Sequence, residues 1–185
     1  MVRAFLFASV LFLAGCFGGN EIEDYSSRSV VYGWMDVSEI RGNHLYNMTM
    51  RQYSPVTRDP YYSMGIKKFA GGYLFWHYGF HSANYEFDKL FLQSCLAVIC
   101  SNTINEYAFG SFGDAPGKTQ IRQPGVTYVG AYKMRTTRRG GMFTSGQFDI
   151  VKTGGPSRSA MLQELLKGAP PEHPEVAARI RAAMR

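Results

Sequence analysis

An antiparallel β-sandwich closed by a short C-terminal helical hairpin is the architecture this sequence predicts. Three observations predict it. From about Ser29 apolar residues recur with a period of two, and Gly/Pro-rich turns break that pattern into many short segments. After Gly154-Gly155-Pro156 the period lengthens to that of helices. No regular alternation of strands with long helices, as a parallel sheet would need, is present.

Val31, Gly33, Met35 and Val37 alternate with Val30, Tyr32, Trp34 and Asp36, and Tyr46, Met48 and Met50 alternate with Asn47, Thr49 and Arg51. Both stretches read as strands with one buried face. Asp59-Pro60 interrupts the chain before Tyr61–Phe69, and Gly71-Gly72 offers a tight turn into Tyr73–Phe80, so this pair reads as a hairpin. Tyr85–Leu92 is a further apolar stretch, and Gly110–Gly117 is rich in turn residues. Val126, Tyr128, Gly130, Tyr132 and Met134 are again spaced by two, and Met142–Val151 follows the loop from Thr136 to Gly141.

In the C-terminal segment Ser157 is placed to cap a helix that Gly168 ends, with Met161, Leu162, Leu165 and Leu166 as its apolar stripe. Pro174 suits the first turn of a second helix carrying Val176, Ala177, Ile180 and Met184, with Arg179, Arg181 and Arg185 elsewhere on it. Two uses are open: packing on the sheet, which is commoner for such stripes, or docking as an amphipathic arm on another protein.

The N-terminus has a different character. A charged Met-Val-Arg start precedes the apolar run Ala4–Phe12 and the quartet Leu13-Ala14-Gly15-Cys16. That run is far short of the roughly 20 residues a membrane-spanning helix needs, and it has the form of an export signal. The quartet resembles the lipobox of bacterial lipoproteins. Membership implies cleavage after Gly15, a diacylglycerol on the Cys16 thiol and acylation of the new amine. Durable attachment follows from multiple acyl chains, each buried methylene contributing about 0.8 kcal/mol. In that family an Asp after the Cys retains the protein at the inner membrane. Phe17 stands here, which implies the outer membrane, facing the periplasm.

Residues 16–29 then read as a lipidated flexible tether, 30–153 as the sandwich and 154–185 as the helical tail. The segment Gln123-Pro124-Gly125-Val126-Thr127-Tyr128-Val129-Gly130 resembles a Pro-Gly-x-x-Tyr-x-Gly strand start of small prealbumin-like envelope lipoproteins. That resemblance implies a prealbumin- or immunoglobulin-like sandwich and no activity.

The 185-residue chain has 20 Lys+Arg against 14 Asp+Glu. Losing residues 1–15 removes only Arg3, leaving 19 against 14, a net charge of +5. Export makes nucleic acid an unexpected partner, and this mild basic excess suits anionic lipid headgroups of the membrane or other envelope polymers and proteins. Export also places Cys95 and Cys100 in an oxidising compartment, where a bridge is expected if their α-carbons approach within about 7 Å.

Catalytic motifs are missing: there is no Gly-x-Ser-x-Gly, His-Glu-x-x-His or nucleotide-binding Gly-Lys-Ser/Thr loop. Asp36, Glu39, Asp88 and Asp114 are scattered acids, so neither an enzyme nor a cofactor is expected. His77 and His81 share a strand face but would stand about 13 Å apart, too far for one metal.

Aromatic residues concentrate between Tyr61 and Phe91. Leu74-Phe75-Trp76 is apolar on both faces, as expected for a central strand or for a face left to a partner. Tyr73, Phe75, Trp76 and Tyr78, with the basic pair Arg138 and Arg139, are the candidate binding surface. Two roles fit these features. One is a non-enzymatic accessory or assembly subunit of an envelope complex. The other is a module binding a lipid or other apolar ligand in a cavity lined by Phe75, Trp76 and Phe87.

Overall fold

The computed structural model describes residues 24–40, 43–96, 99–138 and 147–185. The export signal and Cys16 lie outside these residues, as does Arg139. Among the described residues ten strands and two helices follow in order: β1 (Ser29–Asp36), β2 (Asn43–Ser54), β3 (Tyr61–Ser63), β4 (Gly65–Phe69), β5 (Gly72–Phe80), β6 (Ala83–Leu96), β7 (Ile99–Ala108), β8 (Thr119–Ile121), β9 (Val126–Arg138), β10 (Gln147–Lys152), α1 (Arg158–Lys167) and α2 (Pro174–Ala183).

The first sheet has the order β10-β9-β1-β5-β4, and the second has β3-β2-β6-β7 with β8 beside the start of β6. Among the described residues every pairing is antiparallel except that of β1 with β9. That pair departs from the all-antiparallel expectation. A parallel neighbour needs a long crossover, and here the chain from β2 to β8 supplies it.

Two apolar layers result. Between the sheets Met35, Met48, Met50, Phe75, Phe80, Tyr85, Phe87, Leu90 and Met134 are buried. On the other side of the first sheet Val30, Tyr32, Trp34, Leu74 and Ala131 meet Met161, Leu162 and Leu165 of α1 and Val176 and Ile180 of α2. Burying each of these helix side chains is worth about 1.5–3 kcal/mol, far more than ten-residue helices supply alone. The helical tail is therefore a third layer of the domain. Ser157 Oγ accepts the Ala160 amide and Gly168 closes α1, while Pro174 opens α2, as expected.

The third layer also corrects the reading of β1. Val31 and Met35 enter the inter-sheet core while Val30, Tyr32 and Trp34 meet the helices, so the strand is buried on both faces. In β2 a register shift between Leu45 and Asn47 breaks the alternation, burying Leu45 and leaving Tyr46 57% exposed. The stretch Tyr61–Phe69 is two strands in different sheets, joined at buried Met64, whose amide still donates to Met48 O of β2. The β4–β5 hairpin turns at Ala70-Gly71, both with positive φ (48° and 80°), as a tight two-residue turn requires. Gly72 belongs to the strand, where a side chain would strike the Trp34 indole.

Gly33 and Gly130 let three strands meet. A register shift after Tyr32 pairs Gly33 with Gly130, whose φ is 138°. A Cβ on Gly33 would lie 2.3 Å from the Phe75 ring and 2.7 Å from Gly130 O. The Tyr-x-Gly pattern at 128–130 thus marks a bulge.

Candidate functional site

The expected aromatic surface divides between two layers. Tyr73 and Phe75 point between the sheets and are 9% and 0% exposed, so neither offers a surface. Tyr73 Oη lies 3.2 Å from His44 Nδ1. Leu74, Trp76 and Tyr78, alternating with them, face the helical layer. Beside these three, with Lys67 of β4 on one side and the last turn of α1 on the other, lies a cleft of about 150 Å³.

Each wall of the cleft has a local cause. The Trp76 indole lies against Gly65, where a Cβ would come within 2.7 Å of the ring. Tyr78 Oη donates to Leu165 O at 3.2 Å, tying β5 to α1, and burial pushes its hydroxyl up to about 12. Glu164 accepts from Lys67 across the cleft and from Lys167 at 2.9 Å. These hydrogen bonds, Lys67's first, hold its carboxyl down to about 2.

Arg138 does not join this group. Tyr128 is level with Trp76 through Tyr32, and Arg138 lies ten residues further along β9, about 33 Å by strand rise. The expected ligand cavity is not formed either. Phe75 and Phe87 pack edge to face at 5.7 Å with no exposure, and Trp76 belongs to the opposite layer, so the three line no common space.

The main polar cluster went unread in the sequence. Arg51, Glu86 and Asp88 are almost wholly buried on the outer side of the second sheet, beneath the loop after β7. Arg51 Nε donates to Glu86 Oε1 at 2.9 Å, and Nη1 lies 3.5 Å from Asp88 Oδ1. Nη2 donates to Gly110 O at 2.9 Å and Ser111 O at 2.8 Å, and the guanidinium lies 4.4 Å from the Phe112 ring centre. Glu86 accepts the amides of Gly113 (2.8 Å) and Ala115 (3.1 Å), and Asp88 accepts Thr49 Oγ1 at 2.9 Å.

Such saturation suits a fastening more than a reactive group. Both carboxylates are engaged by donors, and the loop from Phe109 to Ala115 is drawn onto the sheet. The signal available was Glu86 and Asp88 interleaved with Tyr85 and Phe87: charges inside an apolar strand need partners.

His77 is the other polar group set among aromatic rings. Its ring meets Tyr62 at 5.6 Å and Phe80 at 5.3 Å, both edge-on, and Nδ1 accepts the Gly79 amide at 2.9 Å. Burial, reinforced by the Arg28 charge, lowers its pKa to about 4. The unfolded chain thus binds this proton near pH 6.5 and the folded one does not. Stability is full above about pH 6.5 and falls toward pH 4, by up to about 3 kcal/mol in all at 1.36 kcal/mol per unit. Denaturant titrations should show His77→Gln losing less stability than the parent between pH 6.5 and 4; parallel losses would contradict this. Among the described residues no group of three or more His, Cys, Asp or Glu is placed to hold a metal.

The β6–β7 register sets Cys95 opposite Cys100. Opposed residues on antiparallel strands have α-carbons about 4.5–5.5 Å apart, within the range a disulfide accepts.

Arg179, read in the sequence only as part of a polar helix face, secures the N-terminal segment. Its Nη1 donates to Arg28 O (2.6 Å) and Tyr25 O (3.2 Å), and Nη2 donates to Ser26 O (3.0 Å). The Tyr25 ring lies 4.4 Å from that of His173. Residues 25–28 thus belong to the folded body, which corrects the expectation of a flexible tether running to residue 29. The sequence matches no protein-family model, and no curated protein matches it.

Proposed function

We propose that this chain is a bacterial envelope lipoprotein, held by an acylated Cys16 and serving as a non-enzymatic accessory or assembly subunit of a membrane-associated complex. The quartet Leu13-Ala14-Gly15-Cys16, behind a charged start and a short apolar run, carries this reading. Phe17 favours the outer membrane, facing the periplasm. In that compartment Cys95 and Cys100 are bridged across their strands.

The partner meets the sandwich itself. Both helices spend their apolar stripes on the parent sheet, so neither is a free docking arm. On the second sheet, by contrast, Tyr46 (57%), Tyr61 (52%) and Ile104 (41%) stand exposed, and tyrosines are frequent interface anchors. The apolar-ligand reading is the weaker one, since the cavity on which it depended is filled by packed rings. Extraction of native membranes in mild detergent should bring down a constant partner with this protein. Recovery of a strictly monomeric chain would overturn the role.

A further inference from the structure

We infer that the helical layer faces the bilayer and that the outer face of the second sheet is turned away from it, toward the periplasmic space. The inference rests on the acylated Cys16 proposed above and adds an orientation to it.

The Arg179 clamp fixes where the chain leaves the domain. With Tyr25, Ser26 and Arg28 held to α2, the exit lies in the helical layer. From Cys16 to Asp24 is eight residue steps, which at full extension span at most about 28 Å. Whatever conformation residues 17–23 take, they reach no further.

That reach is short beside the thickness of the domain. Packed sheets lie about 10 Å apart and a helix with its side chains is 10–12 Å across, so the exit stands roughly 20 Å from the backbone of the second sheet. Side chains on that sheet add to the distance. The path must also pass round an edge of the first sheet, because no chain threads between hydrogen-bonded strands. Laying the second sheet on the membrane would therefore use the whole tether at full stretch. Laying the helices on it needs almost none, and Arg181, exposed on α2, then meets headgroup phosphates.

The consequence is functional. Tyr46, Tyr61 and Ile104 are presented away from the lipid, where a soluble or opposing envelope protein could reach them.

The full-length lipidated protein, reconstituted into phosphatidylethanolamine/phosphatidylglycerol vesicles doped with a nickel-chelating lipid, tests this. A spin label at Arg181→Cys on α2 should relax several-fold faster than one at Glu106→Cys on β7, with the unsubstituted protein as background. In an Arg179→Ala background the freed residues lengthen the tether and the contrast should shrink. Equal or reversed relaxation in vesicle-bound protein would overturn the orientation while leaving the anchor standing. Protein that fails to float with the vesicles would overturn the anchor, and the orientation with it.

Discussion

Replacing Arg51 with methionine is expected to lower stability by about 3–5 kcal/mol, because Glu86 and Asp88 would remain buried without their cation. The loss exceeds that of an ordinary ion pair, since Arg51 also donates to Gly110 O and Ser111 O. Without it the loop keeps its amide bonds to Glu86 but loses the guanidinium that held its carbonyls to the sheet. A solvent-screened surface pair such as Lys89–Glu106 should contribute far less by comparison. Equilibrium urea unfolding measures the difference, and loss of the charge on Glu86 should discriminate the cause. The double variant Arg51→Met/Glu86→Leu should recover part of what the single variant loses. A single variant within about 0.5 kcal/mol of the parent would show that the cluster is not a fastening.

Phe87→Ala should be similarly damaging, at about 3–5 kcal/mol. Phe87 is fully buried on β6 and joins three parts of the fold. Its ring packs on Phe75 of the first sheet at 5.7 Å, on Tyr132 of β9 at 4.9 Å and on Phe109 at 6.3 Å. It also covers Gly117, whose φ of 75° and lack of a side chain let the loop come down on the ring; a Cβ there would sit 2.5 Å away. Truncation thus opens a cavity between two sheets and a loop that cannot all collapse into it. Removing a half-buried ring such as Tyr78 should cost less. Domains are stable by only about 5–15 kcal/mol in total, so the variant should unfold at markedly lower urea, and an unchanged midpoint would contradict the packing.

These two sites show what the sequence did and did not disclose. Strand positions and helix caps were legible because they depend on local chemistry. Ser157, Gly168 and Pro174 sit where capping preferences put them, and the hairpin before Tyr73 is encoded by a turn residue at hand. The sandwich followed from the period of two. Which face each residue took was less legible, because β1 and β5 lie between two apolar layers. The apolar run Leu74-Phe75-Trp76 suited either a strand covered on both faces or a face left to a partner, so Tyr73 and Phe75 stood among the surface candidates although they are core.

Long-range polar pairing was not legible at all. Arg51 meets Glu86 across 35 positions, and Arg179 meets Tyr25 across 154. Neither separation is periodic, and each pairing arises only once the sheets and helices have stacked. The turn-rich stretch Gly110–Gly117 was visible as loop, yet its role as a lid over a buried ion cluster depends on carbonyl directions that residue types do not encode. The bulge near Tyr46 exposed a ring that alternation would have buried, and that ring is now part of the face available to a partner.

Intact-mass and peptide spectrometry of the mature protein from its native cells bears most directly on the proposed anchor, from which the proposed place, role and orientation follow. The N-terminal peptide should begin at Cys16 and carry a thioether-linked diacylglycerol with a further acyl group on the amine. A mature chain starting at any other residue, or Cys16 recovered with a free thiol, would contradict it.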